Sequence, residues 1–399
     1  MIIAHLLSNK ERDMKRTFKI AIFALLAVVL AMPAFAAGGR DAAGGDVVRI
    51  GVYEPLTGAN AAGGALELAG VQLANEMFPT VNIGGRPHRV ELFVEDNRSD
   101  RVEAPLVVER LISHHRVHLI LGTWGSSMAI PGGEVLRGRV PGIALSATNP
   151  LVTLGNPWYF RVCFIDPFQG QVMANYAFNT RNARTAVLVQ EITNDYSVGL
   201  NRFFADAFRQ FTGNPNAILA TLNYNTGDTD FTAQVTQIRS LNPDVVFAPG
   251  NFTESALVIR QARDLGITTP FLGGDTWETP EFISVGGDRV EGAFFSTKFA
   301  TEFAGNPMAQ QFLTEYRRRN NRDPATVTAL GFDGYMVALQ AIERAGSLDP
   351  NRLRDALELT DFTGATGRTV FDENGDATKG AFLKEVQGGQ FVFRAFIDP

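Results

Sequence analysis

The sequence predicts an α/β protein with two doubly wound parallel-sheet lobes and a ligand cleft between them. Three observations support this class. Short apolar strands alternate with longer helical segments, the alternation restarts after residue 164, and Gly- or hydroxyl-rich loops follow several strands. Such alternation is typical of parallel βαβ units. Because ligands bind beside the carboxyl ends of parallel strands, the cleft is the expected site.

In the first half of the chain, apolar runs bounded by turns predict strands, and segments with helical spacing predict helices. The first strand runs into Glu54-Pro55-Leu56-Thr57-Gly58, which has the composition of a turn. The predicted strands are 47–53, 89–95 and 117–121, and the predicted helices are Ala61–Met77 and 101–113.

The second half repeats this pattern and closes with a hairpin around Gly388-Gly389. The predicted strands are 185–190, 217–224, 245–248, Phe271–Gly273 and 290–295, followed by the hairpin strands 381–385 and Gln390–Ile397. The predicted helices are 196–211, 231–240, 253–265, 308–319, 325–344 and 351–359.

The N-terminus predicts export. A basic stretch precedes the apolar run 20–31, and Ala34-Phe35-Ala36 supplies the small residues that a signal peptidase needs. Residues 1–36 are therefore predicted to be a cleaved signal peptide, and the Gly/Ala-rich residues 37–46 a flexible leader. A retained membrane anchor is the alternative, but the apolar run is short for a span of about 20 residues. We expect a periplasmic protein that is soluble after signal cleavage.

Composition and motifs argue against nucleic-acid binding and catalysis. The net charge is −6 at pH 7, and no patch rich in Lys or Arg stands out. Cys163, the sole cysteine, lies in an apolar strand-like context and is predicted to be buried and inert. A hydrolase or dehydrogenase would need a nucleophile–base pair or a phosphate loop, and the sequence has neither motif. We therefore predict that the chain is not an enzyme and uses neither metal nor cofactor.

Small and hydroxyl-bearing residues after two strands of the first half predict an anion site. Ser126 and Ser127 follow the strand 117–121 through a Gly-containing loop, and Ser146, Ala147 and Thr148 follow the next strand. Hydroxyl groups next to free backbone N–H groups suit a carboxylate, and helix capping is the alternative role for Ser126 and Thr148.

Candidates from the second half lie at strand ends or helix starts. Asp275 follows strand Phe271–Gly273 and could pair with an ammonium, or could cap a helix or form an Asx turn. Asn251 and Phe252 follow the strand 245–248, and Tyr196 heads a helix. Trp124 and Phe252 could line an apolar pocket, although each could equally serve packing.

These segments together resemble the leucine/isoleucine/valine-binding protein family, the type I solute-binding proteins of ABC importers. The resemblance runs from residue 50 to the final hairpin. It rests on short segments in a characteristic order, which include Pro55-Leu56-Thr57-Gly58, Ser126-Ser127, Ser146-Ala147-Thr148, Tyr159-Phe160-Arg161, Asp195-Tyr196-Ser197 and Gly331-Phe332-Asp333.

The resemblance implies three crossovers between the lobes. The first lobe then comprises 47–164 and 298–376, and the second comprises 165–297 and 377–399. It also implies that Ser126 and Thr148 hold a ligand carboxylate, while the Ser146 carbonyl and Asp275 take its ammonium. Tyr196 matches an aromatic residue that faces the cleft.

The implied function is delivery of an amino acid, branched-chain or otherwise apolar, to an ABC permease in the inner membrane by a monomeric binding protein. The position of Gly63 is aromatic in some relatives, and close relatives carry Tyr at the position of Asn251. Two alternatives remain open at this point. The ligand could be an amide, urea or an aromatic acid, or the protein could be the ligand-sensing subunit of a membrane receptor.

Overall fold

A computed structural model describes residues 47–399. The predicted signal peptide 1–36 and leader 37–46 lie outside the described residues. Within the described range, none of the helices is both long enough and apolar enough to cross a membrane.

The first sheet has six strands in the order β2-β3-β1-β4-β5-β6. All neighbouring pairs are parallel except β2 and β3, which form an antiparallel pair. The strands are β1 Val48–Glu54, β2 Thr80–Ile83, β3 Arg86–Asp96, β4 Leu119–Leu121, β5 Gly142–Ala144 and β6 Tyr159–Arg161.

The second sheet has seven strands in the order β15-β14-β11-β10-β9-β7-β8. Five of its strands, from β11 to β8 in this order, are parallel, and β14 and β15 add an antiparallel edge on the other side. The strands are β7 Ala186–Glu191, β8 Ile218–Tyr224, β9 Val245–Phe247, β10 Phe271–Gly273, β11 Phe294–Thr297, β14 Ala381–Gln387 and β15 Gln390–Ile397. Strands β12 Asp361–Gly364 and β13 Gly367–Val370 form a separate hairpin.

Helices cover both faces of each sheet. They are α1 Ala61–Met77, α2 Glu103–Ser113, α3 Ser126–Glu134, α4 Asp166–Asn175, α5 Asp195–Thr212, α6 Thr232–Leu241, α7 Phe252–Asp264, α8 Pro280–Gly286, α9 Pro307–Asn320, α10 Thr326–Ala345 and α11 Pro350–Glu358.

Each sheet with the helices packed on it forms one lobe, and apolar side chains fill both of its faces. In the first lobe, α1, α9, α10 and α11 pack on one face, and α2 and α3 on the other. In the second lobe, α4 and α5 oppose α6, α7 and α8. The chain passes between the lobes after β6, after β11 and before β14. The two-lobed doubly wound class is thus confirmed, and the exact residue boundaries of the lobes stay a prediction.

The sequence misplaced one strand that matters for the site. The strand predicted at 290–295 is β11, Phe294–Thr297, because residues Gly287–Val290 form a 3-10 helix and Gly292 adopts φ +76° in the turn that follows. An apolar valine at the end of a tight turn looks like the start of a strand, but its backbone is helical. The sequence prediction also omitted β2, β6, β12 and β13, the helices α3, α4 and α8, and several short 3-10 helices.

A buried arginine fixes the loop after β5. Arg161, fully buried in β6, pairs with Asp376 through Nε and Nη2 at 2.8 and 2.6 Å. Its Nη1 donates to the carbonyls of Ala147 and Asn149 at 2.9 and 2.8 Å. Since these bonds hold the backbone on both sides of Thr148, they determine where the Thr148 hydroxyl lies.

We expect Arg161→Met to lower the free energy of unfolding by about 3–5 kcal/mol, because a buried carboxylate and two carbonyls lose their partner. Urea denaturation measures the change. Arg368→Met is the control, since Arg368 pairs with Asp361 on the surface of the β12–β13 hairpin and its loss should leave the transition midpoint unchanged. Equal effects of the two substitutions would contradict this role for Arg161.

Candidate functional site

A cavity of about 430 Å³ lies between the strand-end loops of the two lobes. Nine of the ten predicted site residues line it: Trp124, Ser126, Ser127, Ser146, Ala147, Thr148, Tyr196, Asn251 and Asp275. Phe252, the tenth, does not line the cavity. It is buried behind Trp124, with the two rings edge to face and their centroids 6.0 Å apart.

The first lobe contributes hydroxyl groups and a helix start. Ser126 is the first residue of α3, whose initial N–H groups lack intrahelical acceptors. Its Oγ accepts the backbone N–H of Asn149 at 3.2 Å and keeps its own proton to donate. The Thr148 hydroxyl is buried and has no hydrogen-bond partner among residues 47–399. A helix N-terminus beside an unused hydroxyl can hold an anion.

The second lobe contributes Asp275, which follows β10. Its Oδ1 accepts Gln169 Nε2 at 2.8 Å and the Tyr196 hydroxyl at 3.1 Å. A Cβ at Gly274 would clash with the Tyr196 hydroxyl, so only glycine lets that hydroxyl reach Asp275. The contact between Tyr196 and Asp275 therefore depends on the glycine at position 274.

Lys298 was missed by the sequence prediction and lies behind two residues that line the cavity, Asp275 and Ser146. It follows β11 directly and its side chain is fully buried. Its Nζ forms an ion pair with Asp275 Oδ2 and donates to the Ser146 carbonyl at 3.1 Å. These are the two groups that the resemblance assigns to a ligand ammonium. The signal for Lys298 was its place at a strand end, which the misplaced β11 concealed.

The charge on Lys298 is maintained by its neighbours. Burial acts to lower its pKa, but the Asp275 carboxylate and other acidic groups outweigh burial and raise the pKa above its ordinary value. An ionised carboxylate offers about four lone-pair sites, and Gln169, Tyr196 and Lys298 use three of those on Asp275. One acceptor site on Asp275 and one on the Ser146 carbonyl are left for a ligand.

The other end of the cavity is lined by a polar network that the sequence prediction largely missed. Glu191 ends β7, and its Oε2 accepts Asn194 Nδ2 at 3.0 Å and the Asn251 N–H at 3.2 Å. Asn251 Nδ2 donates to Asn60 Oδ1, in the other lobe, at 2.9 Å. Of these four residues only Asn251 was predicted, because the network joins segments far apart in the chain.

Trp124 explains why Gly63 is small. A Cβ at Gly63 would lie 2.5 Å from the Trp124 ring, so the indole occupies the space that a larger residue on α1 would take. The backbone N–H of Trp124 donates to Glu54 Oε2 at 2.7 Å. The bulk missing from α1 is thus supplied by the loop after β4.

Two further carboxyl groups are buried behind the first-lobe loops. Burial, with a contribution from Glu67, raises the pKa of Glu54 well above its ordinary value. Burial likewise raises the pKa of Glu67 and of Asp166 to about 7 each. Part of the buried acid near Lys298 is therefore protonated at neutral pH.

Groups for metal or covalent chemistry do not assemble in the part of the chain that the structure describes. No cluster of three or more His, Cys, Asp or Glu side chains there could hold a metal ion. Cys163 is buried, and burial raises the pKa of its thiol to about 12. A thiol with that pKa is a poor nucleophile at neutral pH. The cavity is equipped for binding by charge and hydrogen bonds.

The chain matches a known protein family over most of its length. Residues 47–390 match the family model described as periplasmic binding protein. A leucine-, isoleucine-, valine-, threonine-, and alanine-binding protein of Pseudomonas aeruginosa is 26% identical over 335 residues, which are 83% of this chain and 87% of that protein.

Two solved structures share the fold and about a third of the sequence. The leucine binding protein LivK from Thermotoga maritima is 39% identical with a TM-score of 0.84, over 88% of this chain and 99% of that one. The branched-chain amino acid transporter substrate binding protein LivJ from Streptococcus pneumoniae, in complex with isoleucine, is 28% identical with a TM-score of 0.80. That match covers 89% of this chain and all of the other.

The raised pKa of Glu67 predicts that stability falls as pH rises from about 5 to 7. In this window the unfolded chain has released the Glu67 proton, while the folded chain still holds it, so rising pH favours unfolding. Glu67→Gln should flatten the slope of unfolding free energy against pH, measured by urea denaturation at pH 5, 6 and 7.

Glu315→Gln is the control for this experiment. Hydrogen bonds from Arg318 and Arg319 hold the pKa of Glu315 at about 2, below the tested window. The slope should therefore stay unchanged in that variant. A Glu67→Gln slope equal to that of the unaltered protein would show that Glu67 does not carry the proton.

Proposed function

Because the chain belongs to the periplasmic binding protein family, we propose that it is the solute-binding component of an ABC importer. In this role it acts as a monomer in the periplasm, binds one small ligand between its lobes and delivers it to a membrane permease. The observation that supports this proposal is the cavity, which is lined by strand-end loops of both lobes. It contains the Thr148 hydroxyl, which has no hydrogen-bond partner among residues 47–399. Binding without chemical conversion suits this set of groups.

An amino acid with an apolar side chain is the ligand class we propose first. The relatives named above bind leucine, isoleucine or related amino acids, and their names motivate the choice. In this proposal Ser126, Thr148 and the start of α3 hold the carboxylate. The ammonium uses the remaining acceptor sites on Asp275 and on the Ser146 carbonyl. Trp124 and Met128 provide apolar surface for the side chain.

Closure of the lobes over the ligand supplies the affinity. Since the carboxylate is held by the first lobe and the ammonium mainly by the second, a ligand with both groups favours the closed arrangement over an open one. Hydrogen bonds to charged groups contribute about 1.5–3 kcal/mol each. Four such bonds contribute about 6–12 kcal/mol, and burial of a Leu-sized side chain adds about 1.5–3 kcal/mol. Together they offset the lower range of association costs and allow about micromolar affinity, near −8 kcal/mol.

We expect Thr148→Val to weaken binding of carboxylate ligands about 10- to 100-fold, because one hydrogen bond to a charged group is lost without a change of shape. Isothermal titration with leucine, or with a ligand identified by mass spectrometry of the purified protein, measures the change.

Thr369→Val is the matched control, because the Thr369 hydroxyl is also buried without a partner among the described residues and lies in β13, outside the cavity. Its affinity should equal that of the unaltered protein. If Thr148→Val binds as tightly as Thr369→Val, the carboxylate is not held where we propose.

A small carboxylic acid that lacks the ammonium is the second candidate ligand class. The Lys298–Asp275 pair favours it, because the Lys298 ammonium already contacts both groups assigned to a ligand ammonium. A second cation beside Lys298 meets like-charge repulsion in a buried site, whereas an acid without that group does not. With Lys298 in place, Asp275 is no longer an unpaired buried charge, so the site can accept such a ligand.

Substitution of Lys298 separates the two ligand classes. Leucine and 4-methylpentanoate have the same carbon skeleton and differ only by the ammonium group. If Lys298 excludes a ligand ammonium, Lys298→Met frees Asp275 to bind one. The dissociation constant for leucine, divided by that for 4-methylpentanoate, should then fall at least tenfold. Isothermal titration with both compounds measures the ratio.

Lys384→Met controls for loss of a buried lysine. Lys384 pairs with Glu278 at 2.7 Å and is nearly as buried as Lys298, but it lines a different cavity of about 500 Å³. It should leave the ratio unchanged. A ratio that stays constant in Lys298→Met as well would eliminate the second candidate class and leave the amino acid proposal in place.

A further inference from the structure

Ser127 and Asn251 line the cavity, and each forms a hydrogen bond to the opposite lobe. Ser127, on α3 of the first lobe, accepts the backbone N–H of Asp195 at 2.8 Å through its Oγ. Beside it, Asn149 Nδ2 donates to the backbone carbonyl of Asp195 at 2.8 Å. Asp195 is the first residue of α5 in the second lobe. Both backbone groups of this residue are therefore bound by first-lobe side chains.

Asn251 forms the second bridge. Its Nδ2 donates to Asn60 Oδ1 at 2.9 Å, and Asn60 is the residue before α1 in the first lobe. Its Oδ1 accepts Asn194 Nδ2 at 3.1 Å, and its backbone N–H is held by Glu191 at 3.2 Å. Both polar atoms of the Asn251 side chain thus have protein partners.

The two bridges join the starts of four helices across the cleft. Helices α1 and α3 of the first lobe face α5 and α7 of the second at these points. Side chains that bind only a ligand would direct their polar atoms into the cavity. Ser127 Oγ and Asn251 Nδ2 instead bond to the facing lobe, and both residues are buried. Asn251 Oδ1 is bound by Asn194 of its own lobe.

We propose that Ser127 and Asn251 form a latch that sets the free energy of lobe closure and does not select the ligand. This inference rests on the proposed function, since it requires that the cavity between the lobes is the ligand site. The observed affinity of a closing protein equals its intrinsic affinity multiplied by the fraction in the closed arrangement. Loss of a latch bond therefore weakens every ligand by the same factor.

Alanine substitutions and two chemically different probes test this latch. Leucine and threonine serve as probes, because a residue that touches the ligand side chain affects an apolar and a hydroxylated side chain unequally. We expect Ser127→Ala and Asn251→Ala each to raise both dissociation constants by a common factor of about 3 to 10, the effect of one neutral hydrogen bond. Small-angle X-ray scattering without added ligand should give a radius of gyration at least as large as that of the unaltered protein.

Asn156→Ala is the matched control. Asn156 is as buried as Asn251 and also uses both side-chain polar atoms, donating to the Gly133 carbonyl at 2.8 Å and accepting the Trp158 N–H at 3.2 Å. All three residues belong to the first lobe and lie outside the cavity. The loss of an equivalent asparagine within one lobe should leave both dissociation constants unchanged.

The outcomes separate the latch from the proposed function. A loss for one probe that exceeds the loss for the other more than about threefold would overturn the latch, and so would unchanged affinities in both variants. Because Ser127 and Asn251 lie in different bridges, a variant that does not fold leaves the other one to decide. If the unaltered protein binds neither these probes nor any other small solute, the proposed function itself is wrong.

Discussion

The buried ion pair between Lys298 and Asp275 is the interaction on which the arrangement of the site depends. It joins the end of β11 to the end of β10, and through the Ser146 carbonyl it reaches the first lobe. A buried charge without a partner is strongly destabilising, so these three segments have to stay together. Lys298 also lies where the chain passes back to the first lobe. The cation that pairs with Asp275 therefore lies on the same segment that connects the lobes.

In our proposal the cavity surface divides into groups that are available to a ligand and groups that join the two lobes. Among residues 47–399 the Thr148 hydroxyl has no hydrogen-bond partner, and Asp275 keeps one acceptor site, so both are available to a ligand in this proposal. Ser127 and Asn251 are engaged with the facing lobe. Proximity to the cavity is thus a poor guide to role, and the hydrogen-bond partners of each side chain distinguish the two groups.

The sequence predicted the class of fold and nine of the residues that line the cavity, because both follow from local pattern. Alternation of strands and helices is visible in short windows, and the strand-end rule placed Ser126, Thr148 and Asp275 correctly around one cavity. Contacts between distant segments could not be predicted in this way. Asn60 meets Asn251 across 191 positions, and Lys298 meets Ser146 across 152. The role of a buried lysine can be assigned only when its partner is known. The one local indication for Lys298 was its position directly after a strand, and the misplaced bounds of β11 concealed that position.

The exchange between Gly63 and Trp124 has a consequence for comparing members of the family. Bulk that an aromatic residue on α1 would supply comes here from the loop after β4, so pocket volume is a property of the pair. Position 63 alone in an alignment would suggest an enlarged pocket, although the Trp124 indole fills that space. Evolution of a new ligand preference along this wall therefore requires coordinated changes at both positions, since an aromatic residue at each would overlap.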